Sequence, residues 1–398
     1  MKKQITLIFT IVFYSNLVFS QTNSWFTWGN NSFGVFGNGT SGSNSSFFEP
    51  TQIANLDSFR EIYTGDNHVY ALDKNNVLWA WGQNSRKGQL GIDSDKFLFD
   101  SPQKVETTNI WKKIAVQNEF SAGIDTIGTL WVWGKYPAYP ENYGGSTGSI
   151  EISPVQIDTT RNWIDVKVGS THILLLRNDN TLWSLGLNTE GALGIAGNGG
   201  FNPTKIMTPQ LVMQNVAYYE THGSSSFAID KYGYLFVWGF AMGLKITDGS
   251  KNYYSDSIYY TIPHLVTSDS NWKEVKIKGA HAVAMKKDGT IWSWGRNEFG
   301  QLGIGNYSNA DIPTKIGMDS NWRSISASNS NCFGIKDDGT LWSWGRGGEF
   351  SGLGFGSKDQ NVPQQIKTDT SWNTVQSGSF YSFARRKDVN FTSIKKPL

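Results

Sequence analysis

The chain has 398 residues, of which 38% are hydrophobic, 17% charged and 14% aromatic, with 17 tryptophans, 43 glycines and a net charge of +2. So little charge beside so many aromatics and glycines excludes a disordered or a largely helical chain and points to an all-β protein. A charge this near zero gives no long-range attraction to nucleic acid or to an anionic membrane.

The first element in chain order is a leader. Lys2 and Lys3 precede an apolar run from Ile5 to Val18, and Val18-Phe19-Ser20 offers a signal-peptidase site that makes Gln21 the new N-terminus. Residues 1–20 are therefore expected to be a signal peptide, 21–390 the folded unit and 391–398 a C-terminal tail. No later run is long and apolar enough to span a bilayer, so the expectation is an exported protein of the periplasm, the cell surface or the medium. Cys332 is the only cysteine, which rules out an internal disulfide and leaves stability to a packed core.

Beyond the leader the chain repeats itself. Trp-Gly pairs begin at Trp28, Trp81, Trp133, Trp238, Trp294 and Trp344, and Leu185-Gly186 fills the gap, giving seven occurrences spaced 50 to 56 residues apart. Three further signals keep the same beat. Proline leads a short strand at Pro50, Pro102, Pro154, Pro209, Pro263, Pro313 and Pro363. A large apolar residue opens a second strand at Phe59, Trp111, Trp163, Val216, Trp272, Trp322 and Trp372, and a third strand starts nine residues later. The Trp-Gly strand is the fourth, reached through a tight Asp-Gly-Thr hairpin or its equivalent.

Seven units of four short strands predict a seven-bladed β-propeller of antiparallel blades, with an open solenoid as the alternative. A unit of about 50 residues cannot bury a core alone, so the units must share one. SWFTWGNN at 24–31 is a fourth strand without its first three, and the chain ends on three strands without a fourth. The N-terminal strand is thus expected to close the ring. In LWSWG both tryptophans share a face of the strand. The third strand carries Ala71, Gly123, Leu175, Ala228, Ala284, Gly334 and Ala384 at one position, small residues expected to receive a neighbouring blade's tryptophan.

These motifs together, LWSWGRNEFGQLGIG, a proline-led strand and NWRSISASNSNCFGIKDDGT, resemble the regulator of chromosome condensation repeat family over residues 24–388. The resemblance implies a seven-bladed propeller. The family includes a nucleotide exchange factor that works on chromatin, and also secreted bacterial proteins that clamp an enzyme with the loops of one propeller face. The leader and the near-neutral charge place this chain with the exported bacterial type. The units holding YGGSTG and AMGLK depart from the Gly-x-Leu-Gly loop, and Leu185 stands where tryptophan is usual.

No catalytic, metal or cofactor motif emerges, so none is assigned. His68, His172 and His281 share one repeat position, where Phe120, Ser225, Asn331 and Tyr381 stand in other units; a structural role is favoured there over a metal ring. Strand parity puts the long loops after the Trp-Gly pairs on one face and the regular hairpin turns on the other. The long-loop face carries Phe47, Phe48, Phe97, Phe99, Tyr136, Tyr139, Tyr253, Tyr254, Tyr259, Tyr260, Tyr307 and Phe350, about half of which should fold back on the rim. The expected function is non-catalytic binding of a protein by a monomeric scaffold through these aromatics. A glycan-binding propeller is the nearest alternative, and a propeller glycoside hydrolase, needing two spaced carboxylates, a more distant one.

Overall fold

A computed structural model describes residues 17–84, 88–117, 119–135, 151–197, 204–244, 252–254, 257–348, 352–356 and 358–393, with backbone only at 17–22, 252–254, 257–258 and 388–393. Seven antiparallel sheets surround a central channel. Blade 1 runs outward from the axis as Phe59–Thr64, His68–Asp73, Leu78–Gln83 and Leu98–Lys104. Blades 2 to 7 start at the axis with Trp111–Val116, Trp163–Val168, Val216–His222, Trp272–Lys278, Trp322–Ala327 and Trp372–Ser377. Blade 4 gains a fifth, outermost strand, Asn252–Tyr254. Among the described residues no helix is long and apolar enough to cross a membrane.

The blade phase differs from the one the sequence suggests. Each proline-led strand pairs with the outer side of the Trp-Gly strand of the preceding sheet and does not start the next one. Closure therefore takes two N-terminal strands. Blade 7 is ordered Trp372–Ser377, Tyr381–Ser393, Leu17–Gly29, Phe47–Gln52. Leu17–Gly29 pairs with Tyr381–Ser393 over its whole length, from Leu17 opposite Ser393 to Gly29 opposite Tyr381. Residues 17–20, expected in the leader, and 391–393, expected in the tail, are the far ends of these two strands.

The small residues of the second strand also have a different partner. A Cβ on Gly123 would stand 2.5 Å from the ring of Trp111, and one on Gly334 would stand 2.5 Å from that of Trp322. Each glycine makes room for the tryptophan of its own innermost strand. The Trp-Gly tryptophan meets the neighbouring blade instead, beneath the long loop of the blade before it. Trp81 Nε1 donates to Val35 O at 2.7 Å, Trp238 Nε1 to Ala192 O at 3.0 Å and Trp28 Nε1 to Gly352 O at 2.7 Å. The second glycine of Gly-x-Leu-Gly permits this approach: at Gly303, φ is +67° and a Cβ would lie 2.8 Å from Trp344. The leucine between the glycines is buried at Leu90, Leu193, Leu302 and Leu353. These loops lean on the next blade, and the core is a series of clusters that each span neighbouring blades.

Candidate functional site

The long loops are held from below by side chains that the motif search passed over. An asparagine recurs three residues after the Trp-Gly tryptophan or its leucine equivalent, at Asn31, Asn84, Asn188 and Asn297. Asn297 Oδ1 accepts from Leu302 N at 2.9 Å while Nδ2 donates to Asn306 O and Ser308 O at 2.9 Å. Asn31 and Asn188 accept from Phe36 N and Leu193 N in the same way. The serine of LWSWG adds a second tie: Ser293 Oγ donates to Leu302 O and Ser343 Oγ to Leu353 O, both at 2.6 Å. The bases of the loops after Trp28, Leu185, Trp294 and Trp344 are thereby fixed.

The aromatics of this face divide sharply. Phe48, Phe97 and Tyr307 are 53%, 55% and 50% exposed. Tyr259 is half-buried, and so is Phe47, which stacks on Phe36 with ring centres 5.0 Å apart. Phe99 at 9% and Tyr260 at 0% exposure belong to the core and leave the candidate surface. The side chains of Tyr136, Tyr139, Tyr253, Tyr254 and Phe350 lie outside the described residues. Phe380, which the sequence reading missed, is 41% exposed in the short connection between the two inner strands of blade 7. Phe48, Phe97 and Phe380 thus lie on the same face of two neighbouring blades, 7 and 1. That seam is pinned by Tyr381 Oη, which donates to Gly65 O at 3.0 Å or His68 O at 2.9 Å, and by the loop at Gly34, which rests on Asp100.

The histidines at the shared repeat position are buried, and His172 and His281 reach the next blade. His172 Nε2 lies 2.8 Å from Thr221 Oγ1 and 3.0 Å from Ser226 Oγ of the next blade, and His281 Nε2 lies 3.2 Å from Cys332 Sγ of the next blade. Tyr381, at the same repeat position, reaches blade 1 as described. Burial pushes His172 down to about 3 and His68 and His281 down to about 4, so all three are neutral at pH 7. Burial also pushes the Cys332 thiol up, which leaves it unreactive.

The channel holds a cluster of partly enclosed charges. Glu220 of blade 4 receives Lys167 Nζ on both oxygens at 3.0 Å and lies 3.6 Å from Lys276 Nζ, while Tyr218 Oη donates to it at 3.1 Å. Burial opposes ionisation of Glu220, but Lys167 and then Lys276 outweigh it and hold its carboxyl below the usual range. Two bridges cross the channel on the long-loop face. Lys278 Nζ reaches Asp66 Oδ1 at 3.4 Å and Ser377 O at 3.5 Å, linking blade 5 to blades 1 and 7. Gln117 Nε2 donates to His222 Nδ1 at 3.0 Å, linking blades 2 and 4.

The family model of the regulator of chromosome condensation (RCC1) repeat matches residues 24–72, 288–335 and 338–385, and a second model of the same description matches 59–89 and 272–301. Among curated proteins the chain is similar to the human E3 ubiquitin-protein ligase HERC2, 27% identical over 276 residues that cover 67% of this chain and 6% of the ligase. It is also similar to the ultraviolet-B receptor UVR8 of Arabidopsis thaliana, 26% identical over 72% of this chain and 64% of the receptor. The match thus spans a small part of the first relative and just under two thirds of the second. Among solved structures, Prp20p of Saccharomyces cerevisiae superposes with a TM-score of 0.78 at 22% identity, covering 94% of this chain and 93% of that one. That likeness is one of fold.

Proposed function

We propose that this chain, a seven-bladed propeller carrying regulator of chromosome condensation repeats, is an exported, monomeric, non-catalytic scaffold that binds a protein partner on its long-loop face. One observation carries the reading: Phe48, Phe97 and Phe380 stand exposed on adjacent blades whose loop bases and seam are tied by buried hydrogen bonds. Aromatics held on a rigid frame bury large apolar area at little entropic cost, which is the usual make-up of an interface hot spot. The basic and apolar leader supports export. The solved Prp20p is described by its binding to Gsp1p and histones, which agrees with a propeller serving as a binding platform. The channel chemistry also favours binding over hydrolysis. A glycosidase acid needs a carboxyl kept protonated, and Glu220 is held ionised between two lysines.

The test is affinity recovery from envelope extract with the native protein, whose N-terminus is expected near Gln21, and with the triple variant Phe48→Ala, Phe97→Ala, Phe380→Ala. Each truncation should weaken a genuine partner by about 2 kcal/mol, so the variant should recover none. A partner recovered equally by both proteins overturns the assignment to this face.

A further inference from the structure

The channel offers a second site, independent of the loop face. Its wall encloses about 520 Å³, within the ordinary range for small-molecule pockets. Side chains of the innermost strands line it in successive rings. The ring nearest the turn face includes Lys113, Asp165, Glu274, Ser324 and Thr374, all partly or fully exposed. The last ring, at the long-loop face, holds the buried Gln117 and Lys278 and the half-buried His222. Exposure therefore falls along the channel, and the bridges from Lys278 and Gln117 cross it at the long-loop end. The turn face is its more open end.

The wall mixes polar and apolar side chains, and its inner lysines are paired with carboxylates. On blades 3 to 5, Lys167 and Lys276 are both engaged by Glu220, and Lys276 Nζ also donates to Tyr218 Oη at 2.7 Å. On blades 6 and 7 the wall changes to Ser324, Thr374 and Gln376, small hydroxyl and amide groups. Tyr63 of blade 1 also lines the wall. Tyr63 Oη is itself tied to Glu61. An ionic ligand held at the depth of Glu220 would have to break the Lys-Glu-Lys set, which leaves a buried charge unpaired. A neutral polyhydroxylated molecule meets no such cost. Its hydroxyls both donate and accept, matching a wall of ammonium, carboxylate, hydroxyl and amide groups.

We infer that the channel is a binding pocket for a neutral sugar of one or two rings, entered from the turn face and crossed at the long-loop face by Lys278–Asp66 and Gln117–His222. The probes are glucose, N-acetylglucosamine and maltose, with glucuronate and glucosamine as charged counterparts, titrated into the whole mature protein by calorimetry. At least one neutral sugar should bind with a dissociation constant of about 1 mM or tighter, and its charged counterpart at least about tenfold more weakly. Ser324→Trp and, separately, Thr374→Trp fill the entrance without touching an ion pair, and each should weaken binding at least about tenfold while the melting temperature holds. Two such variants keep the test valid if one fails to fold. Recovery of the loop-face partner should be unchanged in both, which separates this site from that one. No binding by any neutral sugar, tighter binding of a charged one, or binding that survives in both folded variants would overturn the inference.

Discussion

At the scale of single residues, the sixth position of each second strand shows one geometric problem solved twice. In blades 5, 6 and 7 a cation lies between the ring of the innermost strand and that of the third strand. Lys286 Nζ is 4.7 Å from the ring centre of Trp272 and 4.0 Å from that of Trp292, Lys336 Nζ is 4.9 Å from Trp322 and 3.8 Å from Trp342, and Arg386 covers Trp372 and Phe26. An aspartate of the preceding loop anchors each cation: Asp269 at 2.8 Å, Asp319 at 2.9 Å and Asp369 at 3.1 Å. Arg177 of blade 3 stacks likewise on Trp163 and Trp183. Blades 1 and 2 place an acid there instead, and Asp73 and Asp125 accept from Trp79 Nε1 at 3.3 Å and Trp131 Nε1 at 2.9 Å. Where the cation occupies the slot in blades 3, 5 and 6, a turn threonine takes the indole proton, as Thr340 Oγ1 does for Trp342 at 2.8 Å. The Thr of Asp-Gly-Thr is thus a partner of the tryptophan two residues on. Lys336→Ala should cost about 1–2 kcal/mol in urea unfolding, and Lys336→Met about half of that, because the methionine keeps the packed stem. Equal losses for both would assign the whole effect to charge.

At the scale of elements, the outermost strands and the closure of blade 7 decide how the sheets end. Every pairing between a third strand and its outer neighbour shifts register, for example between Ser343 and Gly345. With the recurrent proline, this twists and blunts the exposed edge against pairing with other chains. Blade 7 depends on Leu17–Gly29, which supplies partners to both Tyr381–Ser393 and Phe47–Gln52. Deleting residues 21–30 removes the buried Trp25, Phe26 and Trp28 and strands both neighbours. The melting temperature should fall by more than about 10 °C, since the loss of several core rings costs many kcal/mol. A melt within 2 °C or so of the native value would show that this strand adds little to the ring. The number of blades was readable from the repeat, and closure from the unpaired fourth strand at Trp28. The phase was not, because the proline-led strand is close in sequence to the next innermost strand but hydrogen-bonds across a long loop. Periodicity fixes a spacing and says nothing of which member sits at the axis. The candidate surface was half readable. Tyr259 and Tyr260 are successive residues of a strand and must face opposite ways, so one of them had to be buried. Phe380 escaped because SGSFYS reads as a short connection, and only the fold brings it beside the long loops of blades 7 and 1.

At the scale of the whole molecule, titration links the ring to pH. His68, His172, His222 and His281 are pushed by burial to about 4, 3, 4 and 4, below the free value of about 6.5. Above pH 6.5 neither state binds these protons. Below it the unfolded chain takes them up and the folded one does not, so stability declines as the pH falls from 6.5 to 4, by up to about 1.4 kcal/mol per pH unit for each histidine. Asp66 and Glu220 extend the decline. Burial resists their ionisation, but Lys278 at Asp66 and the two lysines at Glu220 hold both below the usual carboxylate range, and that stabilisation is lost as the pH falls through their folded values. The melting temperature should be level from pH 7 to 8 and drop steadily below pH 6.5. A melting temperature that rises on acidification from pH 7 to 5 would contradict neutral, buried imidazoles.

The pairing of Asn23 with Lys387 has a consequence for the chain as a linear object. The two strands that meet there are antiparallel neighbours, so the place where the polypeptide is interrupted is a matter of connectivity and not of architecture. A short linker from strand Tyr381–Ser393 to strand Leu17–Gly29 would make an ordinary hairpin, and the backbone could then be opened at any of the other hairpins, such as the one between Asn331–Lys336 and Leu341–Gly345. The propeller is in this sense a circle, and a circularly permuted chain cut elsewhere would keep every blade, with the interrupted sheet moved to another sector.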